Sequence, residues 1–257
     1  MKHLLTLLVL SLLHINGHVG MDIIGGRVVS QNYRKYMALL MLNGECGGAL
    51  ISEKWILTAA HCNVHPSSYA ILGTHLRSNV HDEQIFRIKR GITFPLYDKD
   101  RKINDIQLLE LEKPAVLNRT NVTLLPLPTR AETILAEKIC SVAGWGKTEN
   151  ILKSNALREV DVKIVDNKDC KKKYSRTNLS ITEDMMCASS LNSNSKAGPC
   201  VGDSGGPLIC EGKYVGIVAC GTCNCGNPAF PAVFTRLTKG YLDWIRATIA
   251  RDYSDTL

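Results

Sequence analysis

The sequence predicts an all-β protein of short strands that ends in a helix, and three features carry that reading. Apolar runs such as residues 36–42 and 47–51 are short and are separated by Asn-Gly and Gly-Gly turns, the spacing of antiparallel strands. The same rhythm continues through most of the chain, and no internal repeat is visible. Only the last stretch, Tyr241-Leu242-Asp243-Trp244-Ile245-Arg246-Ala247-Thr248-Ile249, places apolar residues at helical intervals, and it is expected to pack as a terminal helix.

At 257 residues the chain is long enough for one large domain or two modest lobes with a real core. It opens with Met1-Lys2-His3 and an apolar run over residues 4–13, which is too short to span a bilayer and reads as a secretory signal. No other stretch is apolar enough to cross a membrane. Ten cysteines behind such a signal argue for an oxidising compartment and a disulfide framework. The net charge of +7 gathers in patches such as Arg87-Ile88-Lys89-Arg90 and Lys171-Lys172-Lys173. These are either ordinary solvated surface or a field for sulfated proteoglycan and acidic substrates. A secreted chain without aromatic interleaving argues against nucleic acid.

The chemistry is concentrated in Gly198-Pro199-Cys200-Val201-Gly202-Asp203-Ser204-Gly205-Gly206-Pro207-Leu208. Glycines beside the serine free the amides of Gly202 and Ser204 to point into one concavity, as an oxyanion site requires. Asp203, wedged against Ser204, has no obvious chemical task and is a place to attach a switch. Upstream lie Thr58-Ala59-Ala60-His61-Cys62 and Asn104-Asp105-Ile106. A lone histidine or aspartate is more often a surface residue or a loop cap, but these stand in specific flanks. Asp105 is read as part of an alternating strand over residues 103–111. His65, His75 and His81 have no such setting and are assigned no role.

Together these strings resemble the chymotrypsin-like serine proteases, in which His, Asp and Ser follow one another in this order. The resemblance covers residues 23 to about 249. Val142-Ala143-Gly144-Trp145-Gly146, Leu157-Arg158-Glu159-Val160, His61-Cys62-Asn63 and Ile71-Leu72-Gly73 are most similar to granzymes A and K, and the acidic residue before Ile23 resembles granzymes and mast-cell proteases more widely. It implies two six-stranded antiparallel Greek-key β-barrels with a C-terminal helix. Residues 1–20 would be the signal peptide, 21–22 an activation dipeptide and 23–257 the protease domain. The N-terminal barrel would take about 23–125, and the C-terminal barrel and helix about 126–250.

The same resemblance implies the roles of single residues. Ser204 would attack the peptide carbonyl, His61 would shuttle the proton and Asp105 would orient the imidazole, with the amides of Gly202 and Ser204 as oxyanion hole. Met21-Asp22-Ile23-Ile24-Gly25-Gly26 would be cut before Ile23, whose ammonium then pairs with Asp203. Because Asp22 replaces the usual basic residue, the activator would be a dipeptidyl peptidase rather than a trypsin-like enzyme. Disulfides would join Cys46 with Cys62, Cys140 with Cys210, Cys170 with Cys187, and Cys200 with Cys225, the last ambiguous with Cys223. Cys220 and Cys223 are then extra, either paired with each other or free.

The substrate pocket would be lined by Gly198, Pro199, Gly221 and Ala232, none of them charged. Granzymes A and K carry an aspartate where Gly198 stands, so cleavage after uncharged apolar residues is expected here instead of after Lys or Arg. Pro231-Ala232-Val233-Phe234-Thr235-Arg236 resembles chymases, and Gly198-Pro199-Cys200-Val201 resembles neutrophil elastase. Lys102 would border the second subsite. Ala219-Cys220-Gly221 departs from the usual Ser-aromatic-Gly and removes a hydroxyl that helps hold the aspartate. No metal or cofactor is implied, and Thr74 replaces a glutamate of calcium-binding relatives. Asn118, Asn121 and Asn178 head glycosylation sequons. The expected product is a secreted or granule-stored endopeptidase meeting protein substrates and serpin-type inhibitors. The alternative is a catalytically weak homologue that acts as a basic binding or antimicrobial protein.

Overall fold

The structure, a computed structural model, describes residues 23–31, 33–78, 83–117, 121–219, 225, 227 and 229–254. After the short β1 (Arg27–Val28), six strands close on themselves: β2 (Met37–Leu42), β3 (Gly44–Ser52), β4 (Trp55–Thr58), β5 (Tyr69–Leu72), β6 (Gln84–Thr93) and β7 (Gln107–Leu111). Their order around the barrel is β2-β3-β4-β7-β6-β5, and every pairing is antiparallel. Asn43 alone separates β2 from β3, so Leu42 faces Gly44 in the tightest part of the hairpin.

The second barrel is built from β8 (Ile139–Gly144), β9 (Arg158–Val165), β10 (Met185–Ser190), β11 (Pro207–Cys210), β12 (Lys213–Ala219) and β13 (Ala232–Arg236). They run β9-β10-β13-β12-β11-β8, and the pairing of β8 with β9 closes the ring. Closure removes the exposed strand edges that an open sheet of this kind would present. Strand β1 adds to the outside of β9, with Arg27 opposite Glu159 and Val28 opposite Arg158. The first described strand therefore lies on the second barrel, which ties the segment around Ile23 to the lobe that carries Ser204.

The terminal helix α2 (Lys239–Ser254) extends past both ends of the predicted residues 241–249. Its Tyr241, Leu242 and Ile245 are buried in one cluster with Leu40, Leu57 and Leu108 of the first barrel. Phe94 meets Tyr241 and Trp244 edge-on, with ring centroids 4.8 and 5.2 Å apart, so the helix straps the two lobes together.

Two local readings of the sequence are corrected. A second helix, α1 (Asn167–Tyr174), precedes β10; Asp166 caps it by accepting the amide of Lys168. Only Cys170 and Tyr174 of this helix are buried, one turn apart, too few apolar positions to register as a helical pattern. The strand expected over residues 103–111 starts at Gln107, leaving Asp105 in the loop before it, and all five residues of β7 are buried rather than alternating. Even Glu110 is fully buried, held by Lys89 and Arg90 at 2.5 Å each, while Arg90 reaches Asp252 of α2.

Candidate active site

His61 lies in the loop after β4, and that loop is gripped from below by β7. The side-chain amide of Gln107 donates to the carbonyls of Ala59 and Cys62 at 3.3 and 2.8 Å. The Cys46–Cys62 disulfide fastens the other flank to β3. Asp105 is fully buried and meets His61 twice: Oδ1 accepts the His61 amide at 2.8 Å, and Oδ2 lies 2.6 Å from Nδ1. This two-point contact fixes the ring and favours the tautomer with its proton on Nδ1.

Asp105 is itself held by groups that no local motif announces. Thr235 donates its hydroxyl to the Asp105 carbonyl at 2.9 Å, and Tyr241 donates to the side chain of Asn104 at 2.8 Å. The hydroxyl of Tyr97 is buried without a hydrogen-bond partner among the described residues. Burial, then the negative charges of Asp105, Asp98 and Asp100, push its phenol far upward, so it stays a neutral donor. Ala219, buried at the end of β12, offers no hydroxyl, and the Asp105 carboxylate has no partner besides His61 among the described residues.

Ser204 sits in the turn before β11. Its carbonyl accepts the amide of Gly47 at 2.7 Å, next to the disulfide that flanks His61. A Cβ on Gly205 would stand 2.0 Å from the Thr58 hydroxyl, so the serine turn packs directly against the start of the histidine loop. No hydrogen bond joins Ser204 to His61; such contacts are often long until substrate binds. The amides of Cys200, Asp203, Gly205 and Gly206 are all spent on protein acceptors. Those of Gly202 and Ser204 donate to none among the described residues, which leaves two donors free beside the serine.

Asp203 is fully buried. Its carboxylate accepts the amides of Gly146 at 2.8 Å and Cys200 at 2.9 Å, and no cation pairs with it among the described residues. Burial raises it to about pH 6, against the pull of those two amides. Ile23 is likewise fully buried, within the apolar core of the second barrel.

Gly198 and Pro199 are buried, and a Cβ on Gly198 would meet nothing within 4 Å among the described residues. Ala232 is partly buried, at the start of β13 opposite Ala188. Lys102 adopts a left-handed φ of +54° in the loop before Asp105. The other disulfides are Cys140–Cys210, Cys170–Cys187 and Cys200–Cys225. Asn121 is half-buried and Asn178 exposed. The expected signal and activation dipeptide (residues 1–22), Asn118, Cys220, Gly221 and Cys223 lie outside the described residues. Among the described residues no cluster of His, Cys, Asp and Glu is arranged to hold a metal, and no helix is long and apolar enough to cross a membrane. A depression of about 430 Å³ lined by Tyr69, Phe86, Arg87 and Lys113 contains none of the residues above.

Comparison with known proteins shows the family. The chain is 40% identical to bovine (Bos taurus) granzyme A over 232 residues, which is 89% of this chain and 88% of the relative. It is 34% identical to mast cell protease 8 of Mus musculus over 251 residues, 96% of this chain and 97% of the relative. Kallikrein-14 of Homo sapiens is 35% identical over 234 residues, 88% of this chain and 84% of the relative. The trypsin family profile matches residues 23–245, from the buried isoleucine to the middle of the last helix, and the chain belongs to the trypsin family of serine endopeptidases.

Proposed function

We propose that the protein is a secreted or granule-stored endopeptidase of granzyme type, working through His61, Asp105 and Ser204. The observation that carries this mechanism is the buried Asp105 carboxylate holding both the ring and the amide of His61. Ser204 Oγ attacks the peptide carbonyl while His61 Nε2 takes its proton and returns it to the leaving amine. Asp105 stabilises the imidazolium, and the free amides of Gly202 and Ser204 hold the oxyanion. In related enzymes the loss of one such donor costs about 2.7–4 kcal/mol of transition-state stabilisation.

Activation is removal of the residues before Ile23. The acidic residue ahead of the cut suits a dipeptidyl peptidase, and the new ammonium would neutralise Asp203. The residues assigned to the pocket, Gly198, Pro199, Gly221 and Ala232, are uncharged, which favours uncharged apolar side chains before the scissile bond; a buried guanidinium there would lack a partner. Exposed Lys168, Lys172 and Lys173 on α1 suit storage on sulfated proteoglycan. Serpin-type inhibitors are the expected physiological brake.

The test is activity of the chain beginning at Ile23 against peptides with Leu, Met, Val, Phe, Tyr, Arg or Asp before the scissile bond, with Ser204→Ala as control. Cleavage of apolar peptides that vanishes in the control supports the reading. Strong cleavage after Arg overturns the pocket assignment. Folded protein that cleaves nothing favours a binding or antimicrobial role.

A further inference from the structure

We propose that Glu149 is a positioning residue that clamps the newly formed N-terminal segment against the rest of the site; this rests on the activation reading given above. The loop that carries Glu149 already touches the serine segment twice. Gly146 donates to Asp203, and the amide of Lys147 donates to the Val201 carbonyl at 2.7 Å. Thr148 is fully buried, and its hydroxyl accepts the amides of Asn150 and Ile151 at 3.3 and 3.0 Å. This tight turn presents Glu149 at an exposed tip, where Oε1 accepts the amide of Gly25 at 2.6 Å. Among the described residues Glu149 makes no other hydrogen bond or ion pair.

The opposite face of the same segment is fixed to the substrate pocket. Gly198 donates to the Ile24 carbonyl at 2.9 Å, forming an isolated antiparallel bridge. Gly25 lies so close to Ala197 that a Cβ would stand 2.5 Å from the alanine Cβ, and its φ of +71° is left-handed. The amide of Gly26 turns back to the Ile23 carbonyl at 2.6 Å, and Arg158 donates to the Gly26 carbonyl. Residues 23–26 are thus wedged between the pocket base and one carboxylate. Releasing Glu149 frees the wedge on its solvent side, and with it the segment whose burial delivers the Ile23 ammonium. The charged groups around the segment are Glu149 on the loop, Arg158 and Glu159 on β9, and exposed Lys196 beside Ala197, with Asp203 the carboxylate the ammonium would meet. Glu159 is already neutralised by Arg27 and Arg34.

The experiment follows from the requirement that the amine be protonated to stay buried. A free α-amine titrates near pH 8, and each tenfold in the insertion constant moves the alkaline midpoint of activity by about one pH unit. Glu149→Ala, in the chain beginning at Ile23, is expected to weaken insertion about tenfold, the scale of one charge-assisted hydrogen bond at a partly exposed site. The alkaline midpoint should then fall by about one unit, and cyanate should carbamylate the Ile23 amine about tenfold faster. Glu149→Gln keeps the acceptor oxygen and should recover most of both effects. An unchanged midpoint and carbamylation rate in Glu149→Ala would overturn the proposal while leaving activation by Ile23 standing. Full activity in Asp203→Asn, or in the uncleaved chain, would overturn the activation reading and the clamp with it.

Discussion

The hydroxyl of Thr235, on β13 of the second barrel, donates to the carbonyl of Asp105 in the first barrel at 2.9 Å. Both residues are buried, so the His61–Asp105 pair is registered by a bond that crosses from one lobe to the other. Thr235→Val keeps the shape, removes the donor and leaves a buried carbonyl unpaired, at a cost of about 1–3 kcal/mol. Denaturant unfolding should show that loss. Steady-state kinetics should show kcat reduced roughly tenfold with KM little changed, because the aspartate is displaced and the pocket is not. Thr235→Ser should restore kcat; a Val variant with normal kcat would mean the bond serves stability alone.

Gly198 offers a test of specificity: among the described residues nothing lies within 4 Å of where its side chain would begin, and its φ of +159° makes a substitution carry some backbone strain, so the variant's folding is checked first. Gly198→Asp puts a carboxylate at the proposed pocket base and gives a bound Lys or Arg the partner it lacks. The ratio of kcat/KM for Arg peptides to that for Leu peptides should rise by roughly a hundredfold or more, the scale of pairing a desolvated charge. Peptide-library cleavage measures it directly. No change in the ratio would show that position 198 does not face the substrate side chain.

His61, Asp105 and Ser204 stand out in the sequence because their neighbours have backbone tasks of their own. Gly205 must be glycine to lie against Thr58, and Cys62 must be cysteine to reach Cys46. The residues that support them carry no comparable mark. Thr235 reaches Asp105 across 130 residues, Glu149 reaches Gly25 across 124, and Gln107 reaches Cys62 across 45. Each is an ordinary residue in its own surroundings and acquires its role only when the barrels close. The same holds for β1, whose two residues are too few to show alternation but pair with β9 once that strand exists. Fully buried β7 hid its start, because a strand covered on both faces loses the period of two.

Glu110 predicts an acid sensitivity that is separate from catalysis. Burial pushes its carboxyl up, but hydrogen bonds and charge from Lys89 and Arg90 outweigh this and hold it below its ordinary value. A depressed carboxylate contributes stability that is present above the unfolded value, near pH 4.3, and lost as pH falls through the folded one. Glu110→Gln should lower stability at pH 7 by about 3 kcal/mol, the low end for breaking a buried pair, because Lys89 and Arg90 are half exposed. The gap between the two proteins should narrow below pH 4. Thermal melts across pH 3–7 check this, and a constant gap would contradict it.

Asp203 makes a prediction about the uncleaved chain. A buried carboxyl that holds its proton to about pH 6, against an ordinary value of 3.8, is disfavoured once ionised. The difference corresponds to roughly 3 kcal/mol at neutral pH, a population factor of about a hundred. The sign follows from the raised value: the penalty is absent below about pH 4, grows as pH rises and is complete above about pH 6. In the chain beginning at Ile23 the ammonium would offset it; in the uncleaved chain nothing among the described residues does. The ratio of mature to uncleaved activity should therefore be near a hundred at pH 8 and fall about tenfold by pH 5. Taking the ratio cancels any pH dependence that the two forms share. A ratio that stays flat across this range would mean that the uncleaved chain does not keep Asp203 in the buried site, and that activation moves the carboxylate rather than neutralising it in place.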